Sequence, residues 1–164
     1  MKRLLLLSLL FLLSCMPKMD VPCTKAVPSG TWTQLNQTQL QQDIQAIDAY
    51  LTTNNITAIK DPSGLRYVIT IPGTGDGPCL ENLVVVTYTG KLLSDATVFD
   101  STIDPVAFYL NQLIAGWQIG FLKLNKGARA TLYIPSGLAY GTVSQAKIPA
   151  NSNLVFDVEL VSFQ

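Results

Sequence analysis

The residues whose types could do chemistry are aromatic, and they fall in short, separated motifs. Tyr88 lies in Val84–Val85–Val86–Thr87–Tyr88–Thr89–Gly90. Phe99 and Asp100 lie in Val98–Phe99–Asp100–Ser101–Thr102, and Trp117 closes Leu113–Ile114–Ala115–Gly116–Trp117. Tyr140 falls in Ile134–Pro135–Ser136–Gly137–Leu138–Ala139–Tyr140–Gly141, Ile148 precedes Pro149, and Phe156 sits in Leu154–Val155–Phe156–Asp157–Val158–Glu159–Leu160. Together such side chains suit an apolar, nearly uncharged binding surface. The chain has no His, so imidazole acid–base chemistry has no bearer. A zinc site is disfavoured, since neither Cys23 nor Cys79 has a close Cys neighbour. The set calls for no cofactor. Taken singly, Tyr88, Phe99, Trp117 and Phe156 are each more often core than ligand contact. Asp100 alone reads equally as a turn acid, and Tyr140 as loop packing. The joint pattern shifts that balance.

The elements that must position these residues follow from periodicity. Leu40, Ile44, Ile47 and Leu51 recur at helical spacing and define one apolar face. Thr38 with Gln41 reads as a capping box, and Asn54–Asn55 as the stop. The opposite face is mostly Gln, Asp and Thr, so this helix is expected to dock on its own domain, with a dimer contact as the alternative. After the turn at Ser63–Gly64, Tyr67, Ile69 and Ile71 alternate as a strand. Pro72 to Pro78 reads as a loop and Leu83 to Leu92 as a long β-branched strand. Val98–Phe99–Asp100 and Phe108–Tyr109–Leu110 are shorter candidates. Asn111 is expected to cap a short helix ending near Phe121, in which Gly116 calls for a packing reason. Ala128 to Ile134 and Leu154 to Ser162 are the last strands. The sum is an α+β domain of five or six mostly antiparallel strands with one short inserted helix.

The N-terminus reads differently. Lys2 and Arg3 precede an apolar run from Leu4 to Leu13, too short to span a bilayer but suited to a signal-peptide core. Leu12–Leu13–Ser14–Cys15 resembles a bacterial lipoprotein processing site, which implies cleavage before Cys15 and its acylation. The expected organisation is a signal at 1–14, a Pro-containing tether at 15–35, a helix at 36–55 and one domain at 56–164. Without Lys2 and Arg3 the chain carries nine basic and eleven acidic side chains, which offers no electrostatic footprint for nucleic acid. Membrane attachment would then rest on lipid chains. Cys23 and Cys79 remain as an even pair. A disulfide and two free thiols are equally open from sequence alone.

Over about Leu65 to Gln164, the ordered series of motifs closely resembles the FKBP-type peptidyl-prolyl cis-trans isomerases. The resemblance implies a twisted antiparallel sheet wrapped around the short helix, with a pocket between them. It implies that Trp117 is the floor for a proline ring, and that Tyr88, Phe99 and Phe156 are walls. Leu113, Ile114 and Ile148 would contact substrate, with the Ile114 N–H taking a peptide carbonyl. Tyr140 would donate its hydroxyl, and Asp100 at the rim would hold Tyr88 or the local loops. The implied partners are proline-containing polypeptides and, by family likeness, macrolide inhibitors. The lipoprotein-like signal, in turn, implies a location in a bacterial cell envelope, with the lipid in an outer membrane and the domain facing the periplasm.

The chemistry fits the residue types. An X–Pro amide rotates over a barrier of about 18–20 kcal/mol that is mostly lost resonance. The twisted amide is less polar than the planar one, so a dry aromatic pocket favours it differentially. No bond breaks, and no base is needed. Three departures from the family pattern bear on detail. Ala96 stands where many relatives have Gly, which is expected to alter that turn. Val106 replaces an aromatic, which is expected to thin one wall. The loop Thr142 to Lys147 is polar and lacks a His that some relatives carry. The competing readings are a non-catalytic peptide-binding module or chaperone on the same fold, and a structural lipoprotein that self-associates through its N-terminal helix.

Overall fold

Alternating apolar and polar residues fold into one seven-stranded sheet in which every neighbouring pair is antiparallel. The computed structural model describes residues 22–164. The expected signal at 1–14 and the acylation candidate Cys15 lie outside the described residues. In chain order the elements are α1 (Gly30–Thr33), α2 (Gln37–Thr53), β1 (Ile59–Lys60), β2 (Arg66–Ile71), β3 (Leu83–Leu92), β4 (Val98–Ser101), β5 (Val106–Tyr109), α3 (Ala115–Phe121), β6 (Arg129–Ile134) and β7 (Leu154–Phe163). The sheet order is β1-β2-β6-β7-β3-β4, and β5 also pairs with β3. The count exceeds the expected five or six because the two-residue β1 is too short to show a period.

Two layers pack on this sheet from opposite sides. On one face, α3 buries Trp117, Ile119 and Phe121 against Leu132 and Ile134 of β6 and Phe156, Val158 and Leu160 of β7. Gly116 and Gly120, one helical turn apart, make the close approach feasible. A Cβ on Gly116 would lie 2.4 Å from Ile134 Cγ2, and one on Gly120 would lie 2.7 Å from Leu132 Cδ1. The packing reason that Gly116 called for is therefore β6.

On the other face, Ile47 and Leu51 of α2 meet Tyr133 of β6 and Val155 of β7. Tyr133 and Val155 are direct cross-strand partners, and their neighbours Leu132, Ile134, Leu154 and Phe156 point to the α3 side. The period of two in β6 and β7 thus serves both layers. Burying Ile47 fully contributes about 1.5–3 kcal/mol. The helix therefore docks on its own domain.

Polar contacts fix α2 in register. Asp48 accepts from Arg66 Nε at 2.8 Å and Nη2 at 3.3 Å, and from Lys60 Nζ at 2.9 Å. The Arg66 guanidinium holds the Asp48 carboxyl below the usual carboxylate range, against the opposing pull of partial burial, and Lys60 adds to the effect. Asp43, on what the sequence suggested was the polar face, is only 3% exposed.

Several boundaries differ from the sequence expectation. Asn36 is the N-cap of α2, its Oδ1 accepting from Gln39 N at 3.2 Å, and Thr38 lies already inside the first turn. The helix stops as expected at Asn54, with Asn55 in the left-handed region at φ 55°. Asn111 does not cap α3. It sits in a 3-10 turn, Leu110–Gln112, and its N–H donates to Leu80 O, while Ile114 occupies the N-cap. The buried side chain of Leu110 draws the chain into that extra turn.

From residue 22 onward the expected tether is in fact docked. Cys23 and Cys79 form a disulfide. Thr24 N donates to Glu81 Oε2 at 3.0 Å, Leu80 N donates to Thr24 O, and Val27 is buried in the main core. Trp32 and Leu35 pack against that same core. Aromatic and aliphatic residues scattered among prolines carry no period, which is why this docking escapes sequence reading.

Candidate active site

A cavity of about 300 Å³ opens between α3 and the sheet. Its floor is the pair of most buried lining residues, Phe156 at 4% and Trp117 at 5% exposed. The ring centroids of Trp117 lie 5.1 Å from Tyr88 and 5.1 Å from Phe156, both nearly perpendicular. Phe99 meets Phe156 edge-on at 5.5 Å. Such pairs each add about 0.5–1.5 kcal/mol beyond the area they bury, so the rings hold one another rigidly. The indole Nε1 of Trp117 is buried with no hydrogen-bond partner among the described residues.

Each wall is aimed by a local feature of its strand. In the β3–β4 pairing, Gly90 faces Asp100 but Lys91 faces Val98, so Phe99 is the extra residue of a bulge. Consecutive residues of a regular strand point to opposite faces; the bulge lets both Phe99 and Asp100 line the cavity. Gly90 provides room beneath them. A Cβ there would lie 2.6 Å from the Phe99 ring and 2.7 Å from the Phe156 ring.

Tyr88 Oη donates to Asp100 Oδ2 at 2.6 Å, and Ser101 N donates to Asp100 Oδ1 at 2.9 Å. Asp100 thus holds the Tyr88 hydroxyl. Burial first, then the bond to Asp100, pushes the Tyr88 hydroxyl far above its ordinary range. Burial, with the nearby Asp100 charge second, also raises Tyr140. Both phenols therefore keep their protons at neutral pH. Tyr140 stands at the mouth, 37% exposed, and its hydroxyl has no partner among the described residues.

The fourth side is the entry to α3. Leu113 and Ile114 line the cavity. The Ile114 N–H donates to no group among the described residues, and Ile114 O accepts from Trp117 N and Gln118 N. Gln118 Nε2 reaches back to Leu113 O at 2.8 Å and Asn111 O at 3.3 Å, which pins this segment onto the helix.

Of the nine protein residues expected here, the structure brings eight to the cavity: Tyr88, Phe99, Asp100, Leu113, Ile114, Trp117, Tyr140 and Phe156. Ile148 is buried in the core cluster and does not line it. Its backbone closes a tight turn with Gln145, which folds the polar loop back on itself. Two lining residues were missed, Phe108 and Gln112. Phe108 stands 6.4 Å from Trp117. It was visible as a strand residue two positions after Val106, and the period of two could have placed it on the same face.

A wider groove of about 380 Å³ lies across the sheet face away from α3. It is lined mostly by threonines, Arg129, Asp157 and Glu159, and it lacks an apolar floor. Among the described residues no cluster of three or more His, Cys, Asp or Glu side chains is placed to hold a metal ion.

The fold, an antiparallel sheet closed over one short helix, is shared with known proteins. The model of the FKBP-type peptidyl-prolyl cis-trans isomerase family matches residues 76–161, and the chain belongs to that family. It is 45% identical over 105 residues to the FKBP-type peptidyl-prolyl cis-trans isomerase FkpA of Aeromonas hydrophila, covering 62% of this chain and 39% of the relative. It is 48% identical over 123 residues to the probable FkpA of Neisseria meningitidis serogroup B, covering 70% of this chain and 44% of the relative. The outer membrane protein MIP of Legionella longbeachae is 38% identical over 121 residues, covering 70% and 52%. The crystal structure of FkpA from Escherichia coli superposes with a TM-score of 0.68 at 32% identity, covering 78% of this chain and 64% of that one. The chain thus spans only about two fifths to one half of the length of these curated relatives.

Proposed function

We propose that this protein catalyses cis-trans rotation about X–Pro peptide bonds in proline-containing polypeptides, and so assists protein folding in a bacterial cell envelope. The observation that carries the reading is the cavity itself: an aromatic floor and walls, with phenols that stay protonated. A proline ring would rest on Trp117 and Phe156 between Tyr88 and Phe99. The free Ile114 N–H would take a carbonyl of the peptide, and the Tyr140 hydroxyl would donate to the substrate backbone. The planar, charge-separated amide is disfavoured on such a surface relative to the twisted one, which is how binding energy lowers the barrier. Macrolide binding follows from the same apolar volume, in which Phe108 and not Val106 supplies the wall from β5.

The envelope location is supported by the name of one relative, the outer membrane protein MIP, and by the Cys23–Cys79 disulfide, a bond suited to an oxidising compartment. No helix among the described residues is long and apolar enough to cross a membrane. Attachment would come from acyl chains on Cys15, which follows the processing-site-like Leu12–Leu13–Ser14, seated in an outer membrane with the domain facing the periplasm. Cys15→Ser should then release the protein from the detergent phase; full retention there contradicts the anchor.

A protease-coupled proline-peptide assay on the full-length protein tests the activity. Catalysis should be nearly flat from about pH 6 to pH 8, because no cavity residue type has an ordinary pKa there. Binding of the peptide without acceleration would instead mark a non-catalytic module, and a sharp bell in that range would contradict the mechanism.

A further inference from the structure

Tyr140 differs from the other aromatic residues of the cavity in how it is placed. Tyr88, Phe99, Phe108 and Phe156 ride on strands, and Trp117 rides on α3. Tyr140 hangs on a loop that begins with a 3-10 turn at Ser136–Leu138. Ser136 O accepts from Ala139 N at 3.0 Å and Gly141 N at 2.8 Å, so the loop closes as a hoop with Tyr140 inside it. Ser136 is the root of that hoop, and it is 1% exposed.

What grips the root is a carboxylate from the N-terminal helix. Asp43 Oδ2 accepts from Ser136 N at 2.9 Å and from Ser136 Oγ at 2.6 Å. Its Oδ1 accepts from Gln39 Nε2 at 2.9 Å. Asn153 Oδ1 shares the Ser136 N–H at 3.0 Å. Packing seats one side of the hoop: Leu138 is buried in the main core, and a Cβ on Gly137 would lie 3.0 Å from Leu35 Cδ1. On the other side a cavity of about 340 Å³, lined by Asn36, Gln39, Gly141 and Thr142 among others, leaves the far end of the hoop room to shift. Hydrogen bonds, being directional, fix the orientation that packing leaves open there.

We propose that Asp43 is a positioning residue for the isomerase site, acting through Ser136 to hold the Tyr140 hydroxyl over the cavity. The inference rests on the reading of Tyr140 as a substrate donor. It makes α2 part of the active site and gives the helix a role beyond docking.

The test uses full-length protein, kcat/KM on an X–Pro peptide and amide exchange at Gly141. Tyr140→Phe should lower kcat/KM by about two- to ten-fold. Asp43→Ala should lower it by no more than that and speed exchange of the Gly141 N–H. The double variant should fall no further than Tyr140→Phe alone, because both act through one hydroxyl. Asp43→Asn, which keeps an acceptor for Ser136 N–H, should restore most of the rate. Ser136→Ala removes only the Oγ bond. It should give a smaller loss of the same kind, and it serves if Asp43→Ala does not fold. Losses that multiply in the double variant, or full activity in Asp43→Ala beside a slowed Tyr140→Phe, overturn the proposal. A silent Tyr140→Phe overturns the reading of Tyr140 itself, and the Gly141 exchange then still shows separately whether Asp43 holds the hoop.

Discussion

The two faces of the sheet are built by different rules. Facing α3, rings lock against rings, and the main polar bond at the cavity joins Tyr88 to Asp100. Facing α2, a small apolar cluster is flanked by two carboxylates, Asp43 and Asp48, each gripping a distant segment. The first arrangement makes a dry surface whose shape is set by volume. The second aligns elements by direction and charge, and tolerates open space beside it. A ligand-binding face needs the former and a bracing face can use the latter.

The largest break in that contrast should come from Trp117→Ala. Removing a floor ring with three close aromatic neighbours should cost about 3–5 kcal/mol of stability, read by thermal melting, and abolish most activity in the folded fraction. Gly90→Ala should act next. The new methyl meets both the Phe99 and Phe156 rings, and overpacking of this kind costs about 1–3 kcal/mol. Its isomerase rate should fall more than its melting temperature predicts, whereas Ile47→Val on the α2 side should lower stability by about 0.5–1.5 kcal/mol and leave the rate of the folded protein intact.

Acid should reveal the bracing face. Asp48 has a depressed pKa in the folded state, so its contribution is fully present above the unfolded value of about 3.9 and is lost as pH falls through the lower folded value. Asp48→Asn should therefore be less stable at neutral pH and show a shallower loss between about pH 4 and pH 2 in urea titrations. An unchanged slope would remove Asp48 from the brace. The smallest effect should be a gain. Ala96 holds φ 61° in the turn Asp95–Ala96–Thr97, so the turn keeps the left-handed shape that Gly favours. Ala96→Gly should raise stability by about 0.4–1 kcal/mol with no change in rate.

The aromatic face was legible because its residues lie in strands and a helix whose periods show in one dimension. The bounds of β3 were met at Leu83 and Leu92, and Gly116 announced a close contact. The bulge that turns Phe99 and Asp100 to one side has no such period, yet the family motif carried both residues. Phe108 was passed over because its strand was read without a face. The bracing face stayed hidden. Asp43 looked like a solvated residue on a polar stripe, and its partner Ser136 lies 93 positions away. Thr24, Val27 and Trp32 looked like linker for the same reason: contacts made across the fold leave no local trace.

The disulfide at Cys23 would set the length of a leash. Were the chain acylated at Cys15, the sequence between that Cys and the staple to Cys79 would have a contour of no more than about 30 Å. A domain held in that way would sweep a thin shell above the lipid surface. Its cavity would meet chains where they leave or enter the membrane, and polypeptides in the bulk compartment would lie largely beyond its reach.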